Sequence, residues 1–219
     1  MRSRRHVIIM ARAPRLGAVK RRLAHDIGAV AAWRFYRTTL GAVAARLAGD
    51  PRWTTWLALT PDRTAHRRPR LPRLTSQRCL RVVAQGRGDL GARMARLVRT
   101  LPGGPVVIVG SDIPDLGAAE VAQAFRALAM HDWVLGPAGD GGYWLIGAAR
   151  RRGLPRGFLQ GIRWSSRHAL ADTRRNLRGA RIACLGRMVD IDTGADLARW
   201  RRCAGRPGSS FSRRRRGVP

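Results

Sequence analysis

The sequence predicts an α/β protein with one mostly parallel sheet and helices on both of its faces. Two observations carry this expectation. Short β-branched or alternating apolar runs fall at about 6–10, 53–59, 80–84, 105–110, 132–136, 143–147 and 181–185, each the length of a strand. Helical patterns fill most of the gaps, at about 28–48, 89–101, 117–129, 166–178 and 195–204. Alternation of this kind places parallel strands under helices on two sides. A chain of 219 residues buries one sizeable core, so a single domain is expected over residues 1–205. The end, GRPGSSFSRRRRGVP, has no periodicity, and residues 206–219 are expected to be a basic, disordered tail.

Taken in order, the first strand has the basic flank of a secretion signal. Its apolar core, however, runs only from Val7 to Met10, which is too short for one. The loop after it, MARAPRLGAVKRRL (residues 10–23), carries Arg12, Arg15, Lys20, Arg21 and Arg22 around Pro14 and Gly17. Glycine permits close backbone approach, and cations at the carboxyl end of a strand neutralise phosphate. Lys20 is the only lysine in the chain. A compact ammonium among arginines marks a position that a planar guanidinium does not serve equally well. The stretch 61–73, PDRTAHRRPRLPR, reads as a charged, proline-broken loop.

After the third strand run, QGRGDLGARM matches G-x-G-x-x-G at Gly86, Gly88 and Gly91, and Asp112 lies 21 positions further on. That spacing fits a dinucleotide fold. Against it, Asp89 projects from the turn where a pyrophosphate would lie, and this is not the first βαβ unit of the chain. The run VVIVG then stops on Ser111-Asp112. In open parallel sheets ligands sit outside the carboxyl ends of the strands, so Asp112 reads as functional. Asp115, nearer the next helix, reads as its cap.

Composition narrows the partners. Of 43 basic residues 42 are Arg, and of 13 acids 12 are Asp, for a net charge of +30. Depletion of Lys and Asn beside abundant Arg, Ala and Gly is the mark of a coding bias, and the arginines form no single stripe. Loose polyanion binding at low salt is expected, and no specific nucleic-acid complex. No apolar run reaches the roughly 18 residues of a membrane span. Three cysteines without metal spacing fit reduced thiols and a cytoplasmic protein. The five histidines are scattered, and neither a Ser-His-Asp nor a Cys-His arrangement is legible.

RAPRLGAVKRRL, QGRGDLGARM, VIVGSDIPDL, VLGPAGDGGYWLIG, GIRWSS and DIDTGADL follow one another between about residues 6 and 200. In that order they resemble the bacterial GT-A superfamily of glycosyltransferase-like, radical-SAM/selenodomain-associated transferases. More distantly, the chain is similar to phospholactate guanylyltransferase and the molybdopterin nucleotidyltransferases. The resemblance implies a nucleotide-diphospho-sugar transferase fold and a metal-dependent transfer from a nucleoside triphosphate or nucleotide sugar to a small acceptor. It implies Mg²⁺ or Mn²⁺ on Asp112, Asp192 and Asp190. It puts phosphates on Lys20 beside Arg12 and Arg22, base or ribose at Gly88 and Asp89, and the acceptor at Asp140, Gly141, Gly142 and Tyr143. Trp164 is expected to pack. Two positions depart from the family pattern: Arg21 stands for a threonine, and Gly139 for an acid on the acceptor side. The rival readings are a nicotinamide-dependent oxidoreductase and a non-enzymatic polyanion- or nucleotide-binding protein.

Overall fold

The computed structural model describes residues 4–65 and 80–204. Seven strands form one sheet: β1 (Arg5–Arg12), β2 (Trp53–Thr60), β3 (Leu80–Ala84), β4 (Val106–Gly110), β5 (Trp133–Pro137), β6 (Tyr143–Ala148) and β7 (Ile182–Cys184). Their order is β3-β2-β1-β4-β6-β5-β7. Only β6 runs antiparallel to its neighbours. The helices are α1 (Arg21–Ile27), α2 (Ala29–Ala48), α3 (Leu90–Thr100), α4 (Ala118–Met130), α5 (Ala169–Asn176) and α6 (Gly194–Ala204).

The period-2 alternation of strand side chains divides the core into two layers. Val7, Ile9 and Ala11 of β1, with Val107 and Val109 of β4, face Leu40, Val43 and Leu47 of α2 and Val121, Phe125 and Leu128 of α4. Ile8 and Ile108 face the opposite way, onto Met94, Leu97 and Val98 of α3, Phe158, and Ala169 of α5. Helices therefore cover both faces, and the central strands are apolar throughout because neither side meets water. A small third cluster, Leu23, Ala32, Ile191 and Leu197, joins α1, α2 and α6 beyond the sheet.

The expected elements are present, with three corrections. Residues 21–27 form α1, so the first loop is shorter than the span 10–23. Seven residues with Leu23 alone buried carry no periodic stripe, and Gly28 at φ 86° separates α1 from α2. α5 begins at Ala169 and not at 166. Asp115 does not cap α4: Gly117 holds that position, and Glu120 accepts from its backbone N–H. Asp115 instead accepts from the indole N–H of Trp200 at 2.9 Å and ties α6 to the end of β4. Residues 66–73 of the charged loop and the tail 206–219 lie outside the described residues, as does Cys79. Among the described residues no helix is long and apolar enough to cross a membrane.

Candidate active site

The chain leaves β1 toward β2 on one side, while β4 takes the place on β1's other side. Between β1 and β4 the strand order therefore reverses, and the loops past their carboxyl ends diverge to leave a crevice. Loop 13–20 follows β1, and Ser111-Asp112 follows β4. Because β6 alone is reversed, the β5–β6 turn, residues 138–142, opens at the same end. β7 is parallel to β5, and the bridge of Ala138 to Met188 carries the chain on to Asp190 and Asp192 there too.

Three carboxylates meet in that crevice. Asp112, Asp190 and Asp192 each offer an oxygen, and these oxygens lie within 4.8 Å of one another. Lys20 reaches into the group: its Nζ donates to Asp112 Oδ2 at 2.7 Å and to Asp192 Oδ1 at 2.6 Å, with its side chain 6% exposed. Burial by itself would lower the lysine's pKa. The two carboxylates outweigh it, and the pKa lies above its usual value. Lys20 is also the N-cap of α1, in the left-handed conformation at φ 49°, ψ 50°. That costs a non-glycine residue roughly 1–2 kcal/mol, against which stand two ion pairs from a buried ammonium to half-buried carboxylates. Asp190 has no hydrogen bond to another residue among the described ones. Burial, and then the charges of Asp192 and Asp112, push its carboxyl up to about 6. With all three acids ionised, three negative charges and one ammonium leave a charge of minus two. Hard oxygen donors of that sum fit a divalent cation such as Mg²⁺ or Mn²⁺.

The surrounding contacts fix the cluster. Tyr36 of α2 accepts from the backbone N–H of Arg12, donates to its carbonyl, and lies 3.3 Å from Ser111 Oγ. One phenol thus holds the ends of β1 and β4 together. Trp33, one turn earlier, donates its indole N–H to Pro14 O and holds loop 13–20. Ile191 is buried between the two acids of the late segment, and its N–H faces Asp112 O at 3.4 Å. Thr193 and Asp196 exchange hydrogen bonds at the start of α6, in the pattern of a capping box. Asp26 accepts from Gly194 N–H at 2.7 Å and pins α6 to α1.

Beside the triad lies a cavity of about 210 Å³. Asp112 and Asp190 form one edge, and Asp140, Gly142 and Tyr143 of the β5–β6 turn another. Asp140 Oδ1 accepts from Gly142 N–H and shapes the turn. Gly141, at φ 87°, packs so closely on the Arg167 backbone that a Cβ would collide with it. Tyr143 and Trp164 stack edge to face, their centroids 6.2 Å apart. Trp164 therefore packs, as expected, and also lines the cavity.

Lys20, Asp112, Asp190 and Asp192 are thus brought together from three distant segments, with Asp140, Gly142 and Tyr143 across the cavity. Arg12, Arg22, Gly88, Asp89 and Gly141 do not line it. Arg12 and Arg22 are exposed. Asp89 is the N-cap of α3, accepting from Ala92 N–H at 2.7 Å, so a carboxylate occupies the helix end where a pyrophosphate would need amides. Gly91 is required by packing: a Cβ there would strike the Leu159 carbonyl. Tyr36 and Trp33 were not singled out in the sequence. Their signal was two aromatics at i, i+3 in an alanine-rich helix.

Comparison with known proteins sets this geometry among relatives. A candidate nucleotide-diphospho-sugar transferase from Desulfovibrio desulfuricans G20 superposes with a TM-score of 0.79 at 27% identity, over 95% of this chain and 90% of that one. 4-Diphosphocytidyl-2C-methyl-D-erythritol synthase from Anaerococcus prevotii DSM 20548 has a TM-score of 0.62 at 11% identity, covering 93% of this chain and 96% of its own. Rv0371c from Mycobacterium tuberculosis H37Rv, in a complex with manganese, has a TM-score of 0.51 at 18% identity, covering 90% and 97%. The fold is that of the nucleotide-diphospho-sugar transferases. No curated protein matches the sequence. Residues 43–166, more than half of the chain, match the family described as "Uncharacterized protein conserved in bacteria (DUF2064)", and the chain belongs to that family.

Proposed function

We propose that this protein is a metal-dependent transferase that moves a group from an activated nucleotide to a small acceptor. It would stand among the GT-A, radical-SAM/selenodomain-associated transferases that its motifs resemble. The observation that carries the reading is the convergence of Asp112, Asp190, Asp192 and Lys20 at the point where the strand order reverses. Structural relatives named as nucleotide-using transferases support it, as does a relative described with manganese.

Asp112, Asp190 and Asp192 would hold Mg²⁺ or Mn²⁺. A divalent cation there supplies charge neutralisation to the donor's phosphate oxygens. Lys20 exchanges one of its carboxylate partners for a phosphate oxygen and stabilises the charge that grows on it. Arg12 and Arg22, on the same loop side, add long-range attraction for the diphosphate. Gly88 and Asp89 flank the base or ribose. The acceptor lies against Asp140, Gly142 and Tyr143, while Gly141 allows the turn to pack on the Arg167 backbone. Its hydroxyl or amine forms the new bond to the donor's phosphorus or sugar carbon. The bond to the departing phosphate breaks with its electron pair on oxygen, and the acceptor's proton passes to Asp140, whose Oδ2 carries no hydrogen bond.

A thermal-shift screen of nucleoside triphosphates and nucleotide sugars, with and without Mg²⁺, tests this directly. Stabilisation that needs both nucleotide and metal is expected. Saturable stabilisation by NAD or NADP alone, with every nucleotide silent, would instead establish the oxidoreductase reading. Metal-independent stabilisation by any polyanion would establish the binding-protein reading.

A further inference from the structure

We infer that the cavity beside the acid triad takes a small uncharged or cationic molecule with an apolar body, and excludes phosphorylated and carboxylate ones. Naming that molecule the acceptor rests on the transferase reading above; the chemistry of the cavity does not.

The first observation is a matter of charge. About one residue in five of this chain is basic, yet among the described residues no lysine or arginine lines the cavity. Its charged groups are all carboxylates: Asp112, Asp140 and Asp190. Lys20, the nearest cation on the loop side, is already held by Asp112 and Asp192. Even with Asp112 and Asp190 given over to a divalent cation, an anion at the far edge would meet the Asp140 carboxylate and, among the described lining residues, no lysine or arginine. An ammonium or a hydroxyl would find acceptors instead. Among the described residues Asp140 Oδ2 has no hydrogen-bond partner and is open to such a donor.

The second observation concerns the walls. Most of the lining residues are apolar, Met10, Leu90, Met94, Ile108, Ile146 and Trp164 among them, which favours a hydrocarbon or aromatic body. The volume of about 210 Å³ exceeds the roughly 150 Å³ of an apolar cavity that takes up benzene. One ring-sized body therefore fits with room for a polar end. Among the described residues that line the cavity, Trp164 carries a buried donor without an acceptor, its Nε1–H. An oxygen on the bound molecule would satisfy it after a small shift of the ring.

The test is an indole ¹⁵N–¹H titration of the full-length protein. The Trp164 signal is assigned from its absence in Trp164→Phe, or in Trp164→Tyr should the first variant not fold, and the ligands are added to wild type. Benzylamine, benzyl alcohol and phenyl phosphate are added separately at equal millimolar concentrations. Benzylamine and benzyl alcohol are expected to shift the Trp164 signal saturably, with benzylamine binding at least about tenfold more tightly than phenyl phosphate, roughly 1.4 kcal/mol. A saturable shift by phenyl phosphate at the same or lower concentration overturns the inference, and so does silence from all three. Nucleotide stabilisation with Mg²⁺, measured on the same sample, separates the two readings. Its absence with benzylamine uptake intact overturns the transferase and leaves the cavity's chemistry standing. Its presence with phenyl phosphate preferred does the reverse.

Discussion

Two carboxylate centres in this molecule, at Asp172 and at Asp190, are settled in opposite ways. Asp172 is almost wholly buried, and its donors are all in place. Arg163 forks onto both oxygens at 2.9 Å, the Arg163 backbone N–H reaches Oδ2 at 3.2 Å, and Arg175 lies 3.4 Å from Oδ1. Hydrogen bonds from Arg163, with its charge behind them, hold the Asp172 carboxyl far below the usual carboxylate range. Asp190 is half-buried, has no donor from another residue, and sits against two further acids, so its carboxyl is pushed up to about 6. The first centre is a finished ion pair that fastens segment 163–175. The second has an unmet demand for positive charge, although Lys20 already answers its neighbours. A structural acid brings its own counter-charge; an acid meant for a ligand leaves part of that charge to be supplied.

The largest effect should come from breaking the second centre. Asp112→Asn or Asp192→Asn is expected to weaken Mg²⁺-dependent nucleotide binding at least about 100-fold, roughly 2.7 kcal/mol, while the melting temperature of the empty protein stays within a few degrees of wild type. A ligand-induced shift that survives in Asp112→Asn would mark that acid as structural. Lys20→Met should come next. It leaves two carboxylates facing each other without their buried cation, and should lower the stability of the empty protein by about 1–3 kcal/mol. Millimolar Mg²⁺ should restore most of that loss in Lys20→Met and add much less to wild type, as read by melting temperature.

Breaking the first centre should give the converse pattern. Asp172→Ala is expected to lower the melting temperature by about 5 °C, a modest figure because Arg163 is exposed enough for solvent to screen the pair. It should leave the Mg²⁺-nucleotide shift unchanged. A variant that loses the ligand shift along with stability would erase the distinction between the two centres.

The smallest effect is one of pH, and its sign differs between the two acids. The pKa of Asp190 is raised on folding from 3.8 to about 6. In that window the native state holds a proton that the unfolded chain has lost, so this group's contribution makes stability fall as pH rises through it. Asp172 is depressed, so its contribution is present above the usual carboxylate pKa and is lost as pH falls below it. Chemical denaturation of Asp190→Asn between about pH 4 and 7 should show a flatter profile than wild type, whereas Asp172→Asn should flatten only the acid side. Equal slopes in wild type and Asp190→Asn would mean that Asp190 is not the strained member of the triad.

The sequence carried the fold because its signals are local. Strand runs such as VVIVG and the helical stripe of 28–48 announce their own periods, and every strand lies within two residues of its expected place. α1 was not legible, since seven residues that bury only Leu23 have no face to display. Asp112 and the lone Lys20 could be singled out by residue type and position, whereas Asp190 and Asp192 were marked only by the family resemblance. Asp115 was read as a cap because it stood near a helix start. Its real partner, Trp200, is 85 residues away, beyond any local rule.

By itself, then, the sequence determined the alternation of elements, the buried layers of the sheet and a short set of candidate residues, because each depends on the period or type of neighbouring residues. Only the tertiary structure decided that Lys20 bridges Asp112 and Asp192, that Tyr36 locks the ends of two strands, that Asp89 serves its own helix, and that no arginine among the described residues lines the acid-edged cavity. Each of these is a matter of which side chains from remote segments meet and which remain without a partner. Desolvation and charge, which push the Asp190 carboxyl up, act through space and leave no period in the chain.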